Sequence, residues 1–559
     1  MNVSLLLKEQ QQTHIHDPAR RAGGLVKRAG SQAERARREP AMSAYEDWCR
    51  AGWRAHLPGV GDIGGYMASL GAATIHELAA ASADRVPGRV ALDIDGVQVT
   101  HAALDAGAAR VAGWLAARLA PGGRVLIAAR SSPGLVRSYL GALRAGAVVV
   151  LANPRSTAAE LGRLVADSGA AIAFADGGPA RLLATLPRPP LTVDASEIPP
   201  GRAAPGAVVP ARPEAVALLA YTSGTTGRPK AVPLTHRQLV TSIRSAMAAW
   251  RWSEDDVLAH ALPLFHQHGL GGLHAVLIAG GTARLRSRFT AAGLAETVRQ
   301  HRATVLFAVP TMYRALLEEL GTPGGPPLAG LRLAVCGSAP LSPSLAERLA
   351  PLLGQPPLVR YGLTETGLNV SHTVEDVRTG SVGVPLPGVK ARIWSQAAEA
   401  APGTDGEIQV RAPGVFGGYA GDAAATAAAF TGDGWFRTGD IGRLEPRTGH
   451  LEIRGRIKEM VITGGLNVYP REVELVLESH PAVAEAAVAG LPHDHWGEQV
   501  TAWVVLRAGS AFDEDGLISH VRATLAGYKC PKRVYPLTAL PRNQVGKIVR
   551  SALTPAVGP

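Results

Sequence analysis

The stretch Tyr221-Thr222-Ser223-Gly224-Thr225-Thr226-Gly227-Arg228-Pro229-Lys230 packs hydroxyls, two glycines and a lysine into ten positions. Gly224 and Gly227 let the backbone approach an anion in conformations that a side chain forbids. The Thr and Ser hydroxyls donate hydrogen bonds and Lys230 adds a positive charge, so the chemistry on offer is a grip on polyphosphate. The apolar run from Ala215 to Ala220 reads as a buried strand feeding that loop. The usual triphosphate loop ends Gly-Lys-Ser/Thr and uses the last hydroxyl for magnesium. Here the lysine follows Pro229, so a metal ligand has to come from elsewhere. A Ser/Thr/Gly-rich surface linker is the alternative that composition alone allows.

Other segments carry chemistry in the same sense. Arg360-Tyr361-Gly362-Leu363-Thr364-Glu365-Thr366 offers an aromatic face for a base to stack on and a carboxylate for a cation. Gly337-Ser338-Ala339-Pro340 follows the buried-type run Leu333 to Cys336. Trp435-Phe436-Arg437-Thr438-Gly439-Asp440 ends on a carboxylate with two acceptor oxygens. Pro541-Arg542-Asn543-Gln544-Val545-Gly546-Lys547-Ile548 presents a lysine near the C-terminus. Each has a plain alternative: a helix start at Thr364, a turn at Asp440, a solvated Gly-Lys turn at Lys547.

Taken in order, these segments resemble the adenylate-forming enzymes: acyl-CoA synthetases, luciferases and peptide-synthetase adenylation domains. The resemblance covers nearly everything from about residue 75 onward. It implies ATP, Mg²⁺ and CoA as cofactors, with Glu365 holding the metal and Thr222, Ser223, Gly224, Thr225, Thr226, Gly227 and Lys230 at the phosphates. It also implies that Gly337, Ser338, Ala339, Pro340, Tyr361, Gly362 and Thr364 surround the adenine, and that Asp440 and Arg456 reach the ribose. Lys547 is then the catalytic lysine, acting with Lys230 and His266. An ammonium there stabilises the charge that builds when a carboxylate attacks the α-phosphate. In this family a small domain turns between two poses; Lys458 takes the hinge position and Gly464 and Gly465 border the thiol tunnel.

For the acid, Leu262-Pro263-Leu264-Phe265-His266-Gln267-His268-Gly269-Leu270 and the segment from Gly280 to Phe289 are most similar to malonyl-CoA synthetases. A dicarboxylic acid needs a cation for its spare carboxylate. Arg284 is the candidate, with Arg286 and Arg288 behind it; the alternative is a strand with one solvated face, since i, i+2, i+4 share a side. His266, Gln267, Arg284 and Leu368 form the expected substrate contacts. Gln267 and Leu368 depart from the smaller residue and the methionine expected there. The acyl acceptor stays open between CoA, a carrier-protein thiol and an amine, and an oxyanion such as nitrite is a further substrate reading. A non-catalytic nucleotide-binding relative is a rival of another class, opposed by the joint presence of Lys230, Glu365, Asp440, Arg456 and Lys547.

The elements that must position these groups alternate. Short apolar runs at Val125 to Ala128, Val148 to Leu151 and Ala171 to Phe174 are separated by helical periodicity such as Ala158 to Asp167, which predicts parallel sheets covered by helices. The expected fold is α/β: a large N-terminal domain over residues 71–455 with a β-rich subdomain between about Gly383 and Gly449, then a small mobile α+β domain over 456–559. Residues 1–70, with Gln10-Gln11-Gln12 and an arginine run, read as a poorly ordered extension. At 559 residues the chain is long enough for several cores. Its formal charge of +11 suits anionic substrates and does not by itself imply nucleic acid. Cys49, Cys336 and Cys530 lack metal-type spacing, no apolar run is long enough to span a membrane, and a cytoplasmic location is expected.

Overall fold

The computed structural model describes residues 69–197, 212–222, 230–321, 326–543 and 546–554, with isolated positions between 53 and 66. Contacts divide the chain into Met1–Met67 and Ala68–Pro559. The extension expected over residues 1–70 lies largely outside the described residues, as does Cys49.

Local chemistry sets the helix starts. Thr74 accepts from the Glu77 amide while Glu77 reaches back to the Thr74 N–H, a reciprocal cap that opens the helix Ile75–Arg85. Thr157 with Glu160 does the same for Ala158–Ser168, and Thr235 with Gln238 for His236–Ala249.

The apolar runs become strands. One six-stranded sheet runs Leu191–Asp194, Ile172–Ala175, Arg124–Ala128, Val148–Leu151, Val216–Thr222, Lys230–Thr235, parallel except for its last pair. A nine-stranded sheet carries Leu358–Leu363, Leu333–Cys336, Val305–Ala308, Val257–His260, Thr282–Leu285 and Val90–Ile94 as its parallel centre. Its edges are antiparallel hairpins: Val97–Thr100 on one side, Gly367–Ser371 and Val384–Pro385 on the other. The expected parallel strands form the centres of these sheets, and antiparallel pairs close their edges. The parallel strands are buried on both faces, Val305–Ala308 and Leu333–Cys336 throughout.

The β-rich segment forms an antiparallel five-stranded sheet from Lys390–Ser395, Gly406–Arg411, Phe436–Leu444 and Leu451–Arg456, edged by Ala398–Glu399. Beyond it, Val483–His493 and Gly497–Leu506 pair with the hairpin Val461–Thr463/Leu466–Val468 and with Arg533–Pro536, and pack on the helices Pro470–Ser479 and Glu514–Thr524. Arg314, on the helix Pro310–Leu320, donates to the Ala484 carbonyl (2.7 Å) and pairs with Glu485 (3.1 Å), which Arg542 also engages (2.8 Å). Cys336 and Cys530 are free and buried. Among the described residues no helix is long and apolar enough to cross a membrane.

Candidate active site

A cavity of about 650 Å³ opens where the two large sheets, the β-rich sheet and the C-terminal segment meet. That volume suits a small-molecule site. Thr222 and Lys230 reach it from the ends of their hairpin, Glu365 from the turn between Leu358–Leu363 and Gly367–Ser371, and Asp440 and Arg456 from paired positions on adjacent strands.

The polar groups at this end are tied to one another. Asp440, 2% exposed, accepts from the Tyr361 hydroxyl (2.8 Å) and pairs with the Arg456 guanidinium (2.8 Å). Burial raises its carboxyl pKa, against the pull of Arg456. Glu365 accepts from the Tyr419 hydroxyl (3.0 Å), and the Lys230 ammonium lies 4.7 Å from the centre of the Tyr419 ring.

The other end is built by the helix Gln267–Ala279, which His266 precedes without a side-chain capping bond. His266, Gln267, His268, Arg360, Ser338 and Leu368 line the cavity here. Burial, and then Lys547, lowers His266 to about 4. His268 also lies well below its ordinary value through burial and then Arg360, so both imidazoles are neutral near pH 7. Ser338 holds a left-handed φ of 71°, rare for a residue with a side chain, and its hydroxyl shares a hydrogen bond with His268 Nδ1 (3.2 Å). Arg360 crosses Gly337: a Cβ there would stand 2.8 Å from Arg360 Nε and 2.9 Å from its Cγ. Burial lowers the Arg360 guanidinium to about 10, so it remains charged, and among the described residues no carboxylate or hydrogen-bond acceptor answers it.

Lys547 joins the two ends. It lines the cavity from the C-terminal segment, its backbone N–H held by Asn543 Oδ1 (3.0 Å). Enclosure by the walls, and then Arg456, lowers its ammonium pKa, while Asp440 and Glu365 oppose that. Lys458, in the short helix Ile457–Glu459, lines the same cavity.

The expected site residues divide as follows. Lys230, Lys547, His266, Thr222, Ser338, Gly362, Thr364, Glu365, Asp440, Arg456, Gln267, Leu368 and Lys458 come together. Ser223, Gly224, Thr225, Thr226 and Gly227 lie outside the described residues. Gly337 sits one layer back, under Arg360, and Ala339 and Pro340 are not part of the lining. Tyr361 is likewise set behind the wall, with its hydroxyl on Asp440. Gly464 and Gly465 form a hairpin turn away from the cavity, at φ 56° and 77°.

Arg284 is corrected. It faces Asp93 in register on the neighbouring strand Val90–Ile94 and forms an ion pair with it, so its charge is spent in the sheet and it does not line the cavity. The strand ends at Leu285; Arg286 turns to Glu296 (2.9 Å) and Arg288 is exposed. Arg360 and Tyr419 line the cavity but were not among the expected site residues. Arg360 stood inside a quoted motif, but its neighbours come from distant segments; Tyr419 carried only the flanking signal of Gly417-Gly418.

The donor set can be tested for magnesium. Among the described residues no three His, Cys, Asp or Glu side chains gather into a metal cage. Magnesium usually takes one or two carboxylates and leaves its remaining positions to phosphates and water. Glu365, beside Thr222 and Lys230 at an open cavity, fits that demand.

Residues 79–420 match the family model described as AMP-binding enzyme, and residues 472–547 match the AMP-binding enzyme C-terminal domain. The chain is 36% identical to a feruloyl-CoA synthase of Amycolatopsis sp over 473 residues, 83% of this chain and 95% of that protein. It is 37% identical over 375 residues to the mitochondrial malonate–CoA ligase ACSF3 of Homo sapiens, 60% of this chain and 65% of that one. Among solved structures, ATP-bound MatB from Rhodopseudomonas palustris is similar at a TM-score of 0.78 and 35% identity, covering 86% of this chain and 98% of that one.

Proposed function

This chain belongs to the AMP-binding enzymes and is an ATP-dependent acid–CoA ligase working through an acyl-adenylate; from that premise we propose that its acid is a small dicarboxylate, malonate being the simplest. The observation that carries this reading is Arg360. A partly buried guanidinium left without a carboxylate among the described residues is costly, and the spare carboxylate of a dicarboxylic acid would answer it in bidentate fashion. The likeness to MatB and to ACSF3 supports the same substrate class.

In this reading Thr222 and Lys230 receive the phosphates, Asp440 and Arg456 the ribose, and Glu365 holds the metal. When bound, magnesium draws off phosphate charge. An oxygen of the acid attacks the α-phosphorus, the bond to the β-phosphate oxygen breaks, and pyrophosphate leaves. The Lys547 ammonium stands where the extra negative charge develops. His266, neutral at the acid end, orients the reacting carboxylate without adding a competing charge. The CoA sulfur then attacks the acyl carbon and AMP departs. Residues 456–559 act as the mobile unit, turning at Lys458 to bring Gly464 and Gly465 to the tunnel for that second step.

Acid-dependent pyrophosphate release across malonate, methylmalonate, butyrate, ferulate and nitrite, with and without CoA, tests the proposal. The expected result is release with malonate or methylmalonate well above butyrate and ferulate, and a CoA thioester as product. Preference for a monocarboxylate overturns the dicarboxylate reading and leaves the adenylation intact.

A further inference from the structure

Lys230 and Glu365 line the same cavity with opposite charges, yet among the described residues they form no ion pair with each other. In a partly enclosed site opposite charges attract more strongly than in bulk water. A direct pair would occupy the two groups that phosphate and metal need. Tyr419 is bonded to both. Its hydroxyl donates to Glu365 Oε1 at 3.0 Å, and the face of its ring receives the Lys230 ammonium at 4.7 Å.

The residue is held from every side. The Phe416 N–H donates to the Glu365 carbonyl (2.7 Å), the Ala420 N–H to the Ala231 carbonyl (3.0 Å), and the Tyr419 N–H to Thr426 Oγ1 (2.9 Å). Buried Phe416 meets the Tyr419 ring edge to face, 4.9 Å between centres. The segment from 416 to 420 is thus laced between the turn bearing Glu365 and the strand bearing Lys230.

We propose that Tyr419 is a positioning residue that holds Lys230 and Glu365 apart and ready, its ring cradling the ammonium and its hydroxyl restraining the carboxylate. The inference rests on the ligase reading above, because only a site for phosphate and metal needs the two charges kept separate.

Isothermal titration of ATP into the full chain, in EDTA and across a magnesium series, tests it. Tyr419→Phe keeps the ring and loses the hydroxyl. It should raise the magnesium concentration for half-maximal ATP binding about three- to ten-fold and leave metal-free ATP affinity within about two-fold. Tyr419→Leu loses both contacts and should lower metal-free ATP affinity about three- to thirty-fold, as Lys230 turns to Glu365. Adding Glu365→Gln to Tyr419→Leu should then restore metal-free affinity to that of Glu365→Gln alone. A purely structural role for the ring does not predict that rescue. Thermal melting of each variant accompanies the titrations, and Tyr419→Phe carries the test if the leucine variant does not fold. Parent-like binding by both variants, or the absence of rescue, overturns the inference alone; no ATP binding by the unaltered chain overturns the ligase reading and this inference with it.

Discussion

The two ends of the cavity are finished to different degrees. At the end lined by Asp440, Arg456, Glu365 and Lys230, the key polar groups already touch a protein partner: Asp440 two, Glu365 one, Lys230 the Tyr419 ring. At the end lined by Arg360 and His268, the guanidinium and one imidazole nitrogen have no protein partner among the described residues. The first end has its described charged groups held by the protein's own contacts, and such preorganisation favours strong electrostatic stabilisation. On the dicarboxylate proposal, the second is completed when the substrate supplies the missing charge. On the same proposal, specificity would reside where the protein leaves its own groups unanswered, since a wrong ligand leaves them so.

Lys547 belongs to both ends, and its removal should have the largest effect. Lys547→Ala is expected to slow acid-dependent pyrophosphate release about 10²- to 10³-fold, with ATP affinity nearly unchanged. Loss of ATP binding instead would make Lys547 part of the preorganised end. Next comes Arg360→Gln, which should cut kcat/KM for malonate about 10²-fold and leave ATP affinity intact. Equal losses for malonate and butyrate would show that Arg360 serves the architecture and not the second carboxylate. Asp440→Asn should weaken ATP binding about ten-fold by calorimetry while the ranking of acids stays fixed. A changed ranking would mean that the two ends are not separable.

The smallest effect concerns stability. His76, His236, His260 and His274 are buried, with burial lowering them to about 4, 3, 3 and 3, and His274 lines the cavity beside the acid end. Near 6.5 in the unfolded chain, they bind protons there before they do in the fold. Their contribution is complete above about pH 6.5 and is lost as pH falls from there toward 4. The melting temperature should accordingly fall by several degrees between pH 7 and 5. A flat profile over that window would remove the histidines from the argument.

Much of this was legible from the chain. Alternating apolar runs disclosed the covered strands because parallel strands bury both faces, and Asp95-Gly96 forms the turn of the hairpin beside them. The order of Thr222, Glu365, Asp440, Arg456 and Lys547 gave the outline of the cavity. Arg284 misled because spacing along a strand says nothing about what lies across it, and Asp93 arrives from 191 positions away. Arg360 and Tyr419 stayed hidden for the same reason: their importance lies in Gly337, His268, Lys230 and Glu365, all remote in sequence. The edge strand Val384–Pro385 escaped notice because two residues have no periodicity to read.

Gly337 shows how little separates one preference from another. Its backbone is ordinary, so any residue could adopt the conformation; what the position needs is empty space for Arg360. Every glycine codon is one nucleotide away from an alanine codon. A single methyl group would press on the Arg360 side chain while leaving the arginine codon unchanged, so on the dicarboxylate proposal substrate preference would shift through a position that never meets the substrate.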